Sequence, residues 1–408
     1  MKRSWQRLWQ CLPRRNYTTV QLPYTAIHTP VMLPQVLEQL APRSGGIYAD
    51  LTFGDGGYTK ALLDSCDCKV VAFDQDPSAY EKAKAMAALY NGRLIPVLGR
   101  FGDIFSHVKS RLQWTLPCFD GMVMDIGVSS GQIETPERGF SYKLDGPLDM
   151  RMFSRGRQST PKNDDEADLL KKSISAYEVV NFYPQDQLAD IIYQYGGDRL
   201  SRKIAGAIVQ ARHKEPIETT GQLANTIQKA SPQPKWKRGR DDMLRNSAAR
   251  AFQALRIYIN DELGQLDQAL QASEYLLRPE GTLVAVTFHS LEDRRVKTFL
   301  QHCTGKRAIH DTTDHFGLKR QAYHQAKRHL RDPAVVHDVF DQDQLYAPAH
   351  HPTSAAPSFT LSSKKPIIPT KHELETNPRS RSAKLRAAKR TTSPPLSPFG
   401  SPGKDDEE

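Results

Sequence analysis

The stretch that most constrains this chain runs from residue 47 to residue 77. Ile47, Tyr48, Ala49, Asp50 and Leu51 read as a buried strand, and Thr52-Phe53-Gly54-Asp55-Gly56-Gly57-Tyr58-Thr59 reads as a turn that opens a helix. Lys69-Val70-Val71-Ala72-Phe73-Asp74 is a second strand that ends on an acid, with Gln75-Asp76-Pro77 after it. Strand, glycine turn, helix and strand outline a βαβ unit of the kind that binds nucleosides. Glycines at 54, 56 and 57 let backbone approach a ligand closely. Asp74, about twenty residues beyond the turn, is placed to accept hydrogen bonds from both ribose hydroxyls.

The turn lacks the G-x-G-x-x-G spacing of dinucleotide sites, and Asp55 in its middle would repel a pyrophosphate. A ligand with a sulfonium cation and no phosphate, S-adenosylmethionine, fits such a loop better than NAD. An NAD-dependent oxidoreductase therefore lacks the loop it needs.

Further strands alternate with helical stretches and imply a parallel α/β sheet. Residues 93–101 form a third candidate, and residues 119–130 a fourth that ends on Asp125 and a small-residue loop. The next clear strand, 282–288, comes only after about 150 residues of mostly helical pattern, which reads as a helical insertion in the sheet domain. Ala248, Phe252, Leu255, Ile259, Leu263, Leu266 and Leu270 make one stripe at three and four spacing, expected to be a single core-packing helix. Residues 359–368 are a candidate last hairpin.

His289-Ser290-Leu291-Glu292-Asp293-Arg294 follows the fifth strand. A hydrolase would need a separated base and nucleophile, whereas adjacent residues at a helix start serve as caps, with Ser290 the expected N-cap. His350 and His351 have no acids at ligand spacing, so no metal is expected. The five cysteines form no C-x-x-C pair and read as reduced thiols. No apolar run reaches membrane-spanning length.

The net charge of +10 suits a polyanionic partner. Residues 1–37 contain no acid, while Lys2, Arg3, Arg7, Arg14 and Arg15 are basic and Trp5, Leu8, Trp9 and Leu12 recur at helical spacing. That is the composition of a mitochondrial transit peptide, the alternative being a basic arm that touches RNA.

The blocks HTPVML at 28–33, TFGDGGYT at 52–59, DIGVSSGQ at 125–132, ERGFSYKLDGPLDMRM at 137–152, FQALRIYIN at 252–260, TFHSLEDRRVK at 287–297 and NPRSRSAKLR at 377–386 resemble the RsmH/MraW family of small-subunit ribosomal RNA cytosine-N4 methyltransferases. Within that family the mitochondrial members are the most similar. The resemblance covers about 28–303 and 365–390. It implies a class I S-adenosylmethionine-dependent methyltransferase, a Rossmann-like α/β sheet with an inserted helical domain. The implied division is 1–24, transit peptide or basic arm; 25–135 and 246–304, two parts of the core; 136–245, a helical insertion for substrate RNA; 305–357, a polar basic insertion; 358–390, the end of the core; and 391–408, a disordered tail.

Family cofactor contacts carry over to Gly56, Gly57, Tyr58, Asp74, Phe101, Asp125 and Gln132. Tyr58 stands where the family usually has His, and Gly131 where it usually has Pro. The implied location is the mitochondrial matrix, and the implied partners are mitochondrial small-subunit (12S) ribosomal RNA, the assembling small subunit and its assembly factors. A catalytically inactive RNA-binding factor on the same fold would show a spoiled cofactor loop, which this sequence does not.

The cytosine amine is a poor nucleophile because its lone pair is delocalised, so the enzyme must orient it and accept a hydrogen bond from it. Asp125 is the candidate catalytic residue. Arg138, Arg151, Arg155, Arg157, Lys235, Lys237, Arg238 and Arg240 are candidates to hold RNA phosphates, and Phe140 or Trp236 to stack on a base that has left its own stack.

Overall fold

In the computed structural model, residues 30–154, 173–232, 246–305 and 356–397 are described. After a short helix α1 (Leu33–Leu40), strands and helices alternate as β1 (Ile47–Asp50), α2 (Gly57–Ser65), β2 (Lys69–Asp74), α3 (Pro77–Ala87), β3 (Leu94–Leu98), β4 (Phe119–Asp125) and α4 (Ser130–Glu134). Helices α5 (Ala176–Phe182), α6 (Gln185–Gly196), α7 (Ser201–Arg212), α8 (Thr220–Ala230) and α9 (Ser247–Asn260) follow. The chain then returns through α10 (Glu262–Leu276), β5 (Leu277–Thr287) and α11 (Ser290–Cys303) and ends with β6 (Phe359–Leu361), α12 (Lys371–Thr376) and β7 (Lys384–Arg390).

Seven strands form one sheet in the order β3-β2-β1-β4-β5-β7-β6. β1 to β5 are parallel, whereas β7 runs antiparallel between β5 and β6. The parallel strands β1 to β5 are largely apolar because both faces are covered. Ala49, Val71, Phe73, Met122 and Ala285 face α10 and α11, while Tyr48, Val70, Ala72, Val123 and Val286 face α1, α2 and α3. This is the class I methyltransferase arrangement that the family resemblance implies.

The helical unit has its own core, built from residues such as Leu148, Val180, Ile192, Ile208, Leu223 and Phe252. Local chemistry starts its helices: Ser175 with Glu178 and Thr219 with Gln222 form capping boxes at α5 and α8.

Four sequence expectations need correction. The stripe from 248 to 270 is two helices, broken at Asp261, whose φ of 50° and ψ of 40° are left-handed. Ala248, Phe252, Leu255 and Ile259 belong to the helical core, Leu266 and Leu270 to the sheet core, so the boundary falls at Asp261 rather than at residue 246. Residues 359–368 do not pair with one another in a hairpin: Phe359 to Leu361 pair with Arg390 to Ala388, and Ile367 bridges Leu385. His289, not Ser290, caps α11, because the Glu292 carboxylate returns to the His289 N–H. Residues 391–397 do not belong to a disordered tail, since Leu396 and Ser397 are buried and donate their N–H groups to the Glu274 carboxylate. Residues 1–29, 306–355 and 398–408 lie outside the described set, and with them the basic leader, nearly all of the polar insertion and the rest of the tail.

Candidate active site

β1, β2 and β4 each end on an aspartate: Asp50, Asp74 and Asp125. Asp50 is in register with Ala72 on one side and Val123 on the other, so Asp74 and Asp125 each stand two residues beyond it. In-register neighbours and alternate residues share a face, which puts the three carboxylates on one side of the sheet at its carboxyl edge.

Their environments differ. Asp50 is fully buried, accepts the Thr59 hydroxyl at 2.7 Å and the Thr52 N–H at 3.2 Å, and is pushed up by burial to about 6. Asp74 accepts the Gly54 N–H at 2.7 Å on one oxygen and the Asp76 N–H at 2.8 Å on the other. Burial, with the Asp76 charge, lifts it to about 7 against those two N–H groups. The Gly54 bond ties the glycine turn to the end of β2.

Asp125 is the most perturbed. Burial, then the charges of Asp50 and Glu292, hold it well above the usual carboxylate range, and the neighbouring Tyr58 hydroxyl draws it partly back. Its N–H is donated to Thr52 Oγ1 at 2.7 Å, yet its Oδ1 is buried and has no hydrogen-bond partner among the described residues. A buried acceptor left unpaired costs free energy unless something bound fills it.

The glycines divide by what faces them. A Cβ on Gly56 would meet Phe53 at 2.6 Å, and one on Gly57 would meet Pro30 at 2.1 Å, so these two are required by packing around the start of α2. Among the described residues, Gly54, with φ of 54°, faces open space bounded by Ser129 Cβ at 3.9 Å, and Gly127, with φ of 127°, faces only Phe288 at 4.0 Å. The open cradle thus lies between the turn after β1 and the loop after β4. Tyr58 is buried beside Asp125 and donates its hydroxyl to the Val31 carbonyl. Phe101 lies in a helical turn just after β3, its ring packed in the sheet core.

Other candidates are engaged elsewhere. Gln132 completes the capping box of α4 with Ser129 and donates to Asp76 at 2.9 Å, so its amide braces the loop after β4. Arg138 is not available for RNA phosphates: it bonds Asp76 at 2.6 Å and the carbonyls of Arg151 and Met152 at 3.2 and 2.8 Å. Arg151 is likewise held by Asp149, at 2.5 and 3.3 Å. Phe140 is buried in the helical core and offers no stacking face. Asp55 is neutralised by Lys82 at 2.6 Å, so its repulsion of a pyrophosphate is weaker than the sequence alone suggests. Lys235, Lys237, Arg238, Arg240, Trp236, Arg155 and Arg157 lie outside the described residues.

The sequence reading missed Asp50, Thr52 and Glu292 as parts of this site. For Asp50 the signal was present, since three strands of one parallel sheet end on the same residue type. The acceptor set suits a ligand with a ribose diol and positive charge: two aspartates pushed up by burial, a third with an open oxygen, and, among the described residues, no basic side chain hydrogen-bonded to any of them.

A model of the MraW methylase family matches residues 25–328 and 326–391. Ribosomal RNA small subunit methyltransferase H of Paramagnetospirillum magneticum is 42% identical over 367 residues, 90% of this chain and 96% of that protein. The protein of the same name from Gluconobacter oxydans is 42% identical over 375 residues, covering 92% and 97%. Among solved structures, one described as a putative rRNA-methylase from Clostridium thermocellum covers 89% of this chain and 100% of that one at 9% identity, with a TM-score of 0.31.

Proposed function

The chain belongs to the MraW methylase family and uses S-adenosylmethionine, and on that premise we propose that it methylates the exocyclic N4 amine of a cytidine in mitochondrial small-subunit ribosomal RNA. The observation that carries this reading is the unpaired, buried Oδ1 of Asp125 at the end of β4. Relatives named ribosomal RNA small subunit methyltransferase H support the RNA class.

Bound S-adenosylmethionine would supply an electrophilic methyl group on a sulfonium, the electron pair of the broken carbon–sulfur bond staying on sulfur in the neutral thioether that leaves. The chain does the rest. Asp74 accepts the ribose hydroxyls while its two N–H partners hold it still. Asp50 sets a negative potential beside the cation. Asp125 Oδ1 accepts a hydrogen bond from the cytosine amine, aims its lone pair, and takes up the proton that the nitrogen sheds as the new bond forms. A carboxylate raised by burial is a better base than an exposed one, which suits that step. With Arg138 and Arg151 engaged internally, Lys235, Lys237 and Arg238 remain the candidates for the RNA backbone.

The acid-free basic leader supports the mitochondrial matrix as the location and the assembling small subunit, with its assembly factors, as the partner. Mass spectrometry of nucleosides from mitochondrial ribosomal RNA, with and without the protein, tests the activity: N4-methylcytidine is expected to disappear, and an unchanged profile would overturn the proposal. Imaging a chain that lacks residues 1–17 tests the address, with loss of import expected.

A further inference from the structure

We propose that Phe288 is the platform on which the target base stacks, an assignment that rests on the base-methylation reading above. A base drawn out of its own stack needs a planar or apolar face to lie on while its amino edge points at Asp125. The loop after β4, Ile126-Gly127-Val128-Ser129-Ser130, holds no aromatic residue. The rings of Phe53, Tyr58, Phe73, Phe101 and Phe140 are buried in the cores.

Phe288 is different. It follows β5, is only partly buried, and rests on the same core that Val284 and Val286 line. Val286 is in register with Asp125, so Phe288 lies two residues beyond Asp125 on the neighbouring strand end and on the carboxylate face of the sheet. Across from it is Gly127, two residues after Asp125, where an added Cβ would meet nothing among the described residues within 4 Å except the Phe288 ring edge, at 4.0 Å. With φ of 127° that position excludes ordinary side chains, and the space beside the ring stays open. The Phe288 N–H is donated at 2.7 Å to Glu292, whose carboxylate is fully buried, so the backbone that carries the ring is pinned. A flat, anchored, partly exposed ring on the neighbouring strand end, on the same face as an unpaired acceptor, is what a planar heterocycle with an amino edge requires.

The test compares Phe288→Leu and Phe288→Tyr in the full chain, on small ribosomal subunits from cells lacking the protein, with S-adenosylmethionine as methyl donor. Leu keeps apolar packing on the core but removes the ring; Tyr keeps the ring. Phe288→Leu is expected to lower kcat/KM for the subunit about tenfold to a hundredfold, the worth of one stacked base. Cofactor affinity by calorimetry should stay unchanged and Phe288→Tyr should stay within about threefold of wild type. Wild-type kcat/KM in Phe288→Leu would overturn the proposal, as would equal impairment of both variants or a parallel loss of cofactor affinity, either of which makes Phe288 a structural support. Total methyl incorporation and N4-methylcytidine are counted separately. Wild-type methylation at another atom would defeat the N4 assignment, while the Leu-to-Tyr comparison on total incorporation still decides the platform.

Discussion

Asp125 is held in a state that the ligand-free fold resists: desolvated, beside two other acids, with one buried oxygen unpaired. If its work is to orient the amine, Asp125→Ala should lower turnover by about a hundredfold or more with little change in cofactor affinity, because the interaction matters chiefly in the transition state. Asp125→Asn, which keeps one neutral acceptor, should retain more activity than Ala. The same Ala variant should melt higher than wild type at pH 8 without cofactor, since it removes a carboxyl group whose charged form the fold disfavours. Single-turnover kinetics and thermal unfolding check both halves; wild-type turnover would remove Asp125 from the mechanism. Asp50 near 6 and Asp74 near 7 lie above the ordinary Asp value of 3.8, so the stability they contribute is fully present below about pH 4 and is lost as pH rises through 6 to 7. Over that same window they become the carboxylates that a cationic, ribose-bearing ligand needs. The rise in Tm produced by S-adenosylmethionine should therefore grow from pH 5.5 to pH 8, and a flat response would show that neither group changes protonation on binding.

At the scale of elements, the parallel strands and most helices were legible because their signals are short-range: apolar runs, capping pairs, the glycine turn. The break at Asp261 was not, because Ile259 and Leu263 keep helical spacing straight across it. What differs is the partner on each side, the helical core before and the sheet core after. Aspartate is among the few non-glycine residues that visit the left-handed region readily, which lets one residue turn the helix axis. A bidentate pair bridges the break, Arg256 to Glu262 at 2.7 and 2.9 Å, with side chains 16% and 3% exposed. Glu262→Ala should cost about 3 kcal/mol in urea unfolding, the low end for breaking a buried pair, because Glu292 remains to face the Arg256 cation. A loss below about 1 kcal/mol would mean that water replaces the carboxylate there. β7 escaped the sequence reading for a related reason. Lys384, Arg386 and Lys389 break its apolar run, and two of them meet an acid, Asp293, only after α11 has packed beside the strand.

At the scale of the whole molecule, the segment after β7 packs back on α10 rather than trailing from the fold. Glu274, 1% exposed, accepts N–H groups from Leu396 and Ser397 at 3.0 and 2.9 Å, and Arg390 donates to the carbonyls of Thr391 and Ser393. Ending the chain after Arg390 should lower stability by about 2 kcal/mol, since it leaves a buried carboxylate short of donors, whereas ending it after Ser397 keeps every one of these bonds. Equal melting of the two truncations would show that the segment contributes nothing. A Ser/Pro-rich composition reads as disordered because it carries little apolar surface of its own; its order comes from polar partners more than a hundred residues away. The same distinction runs through the molecule. Sequence by itself determined the βαβ frame, the glycine turn, the acids at the strand ends and the helical insertion, because periodicity, turn chemistry and strand order act over a few residues. Only the tertiary structure decided that Arg138 and Arg151 are spent on internal carboxylates and carbonyls. It alone put Asp50, Asp74, Asp125 and Phe288 on one face, because sheet register and burial depend on which distant segments meet.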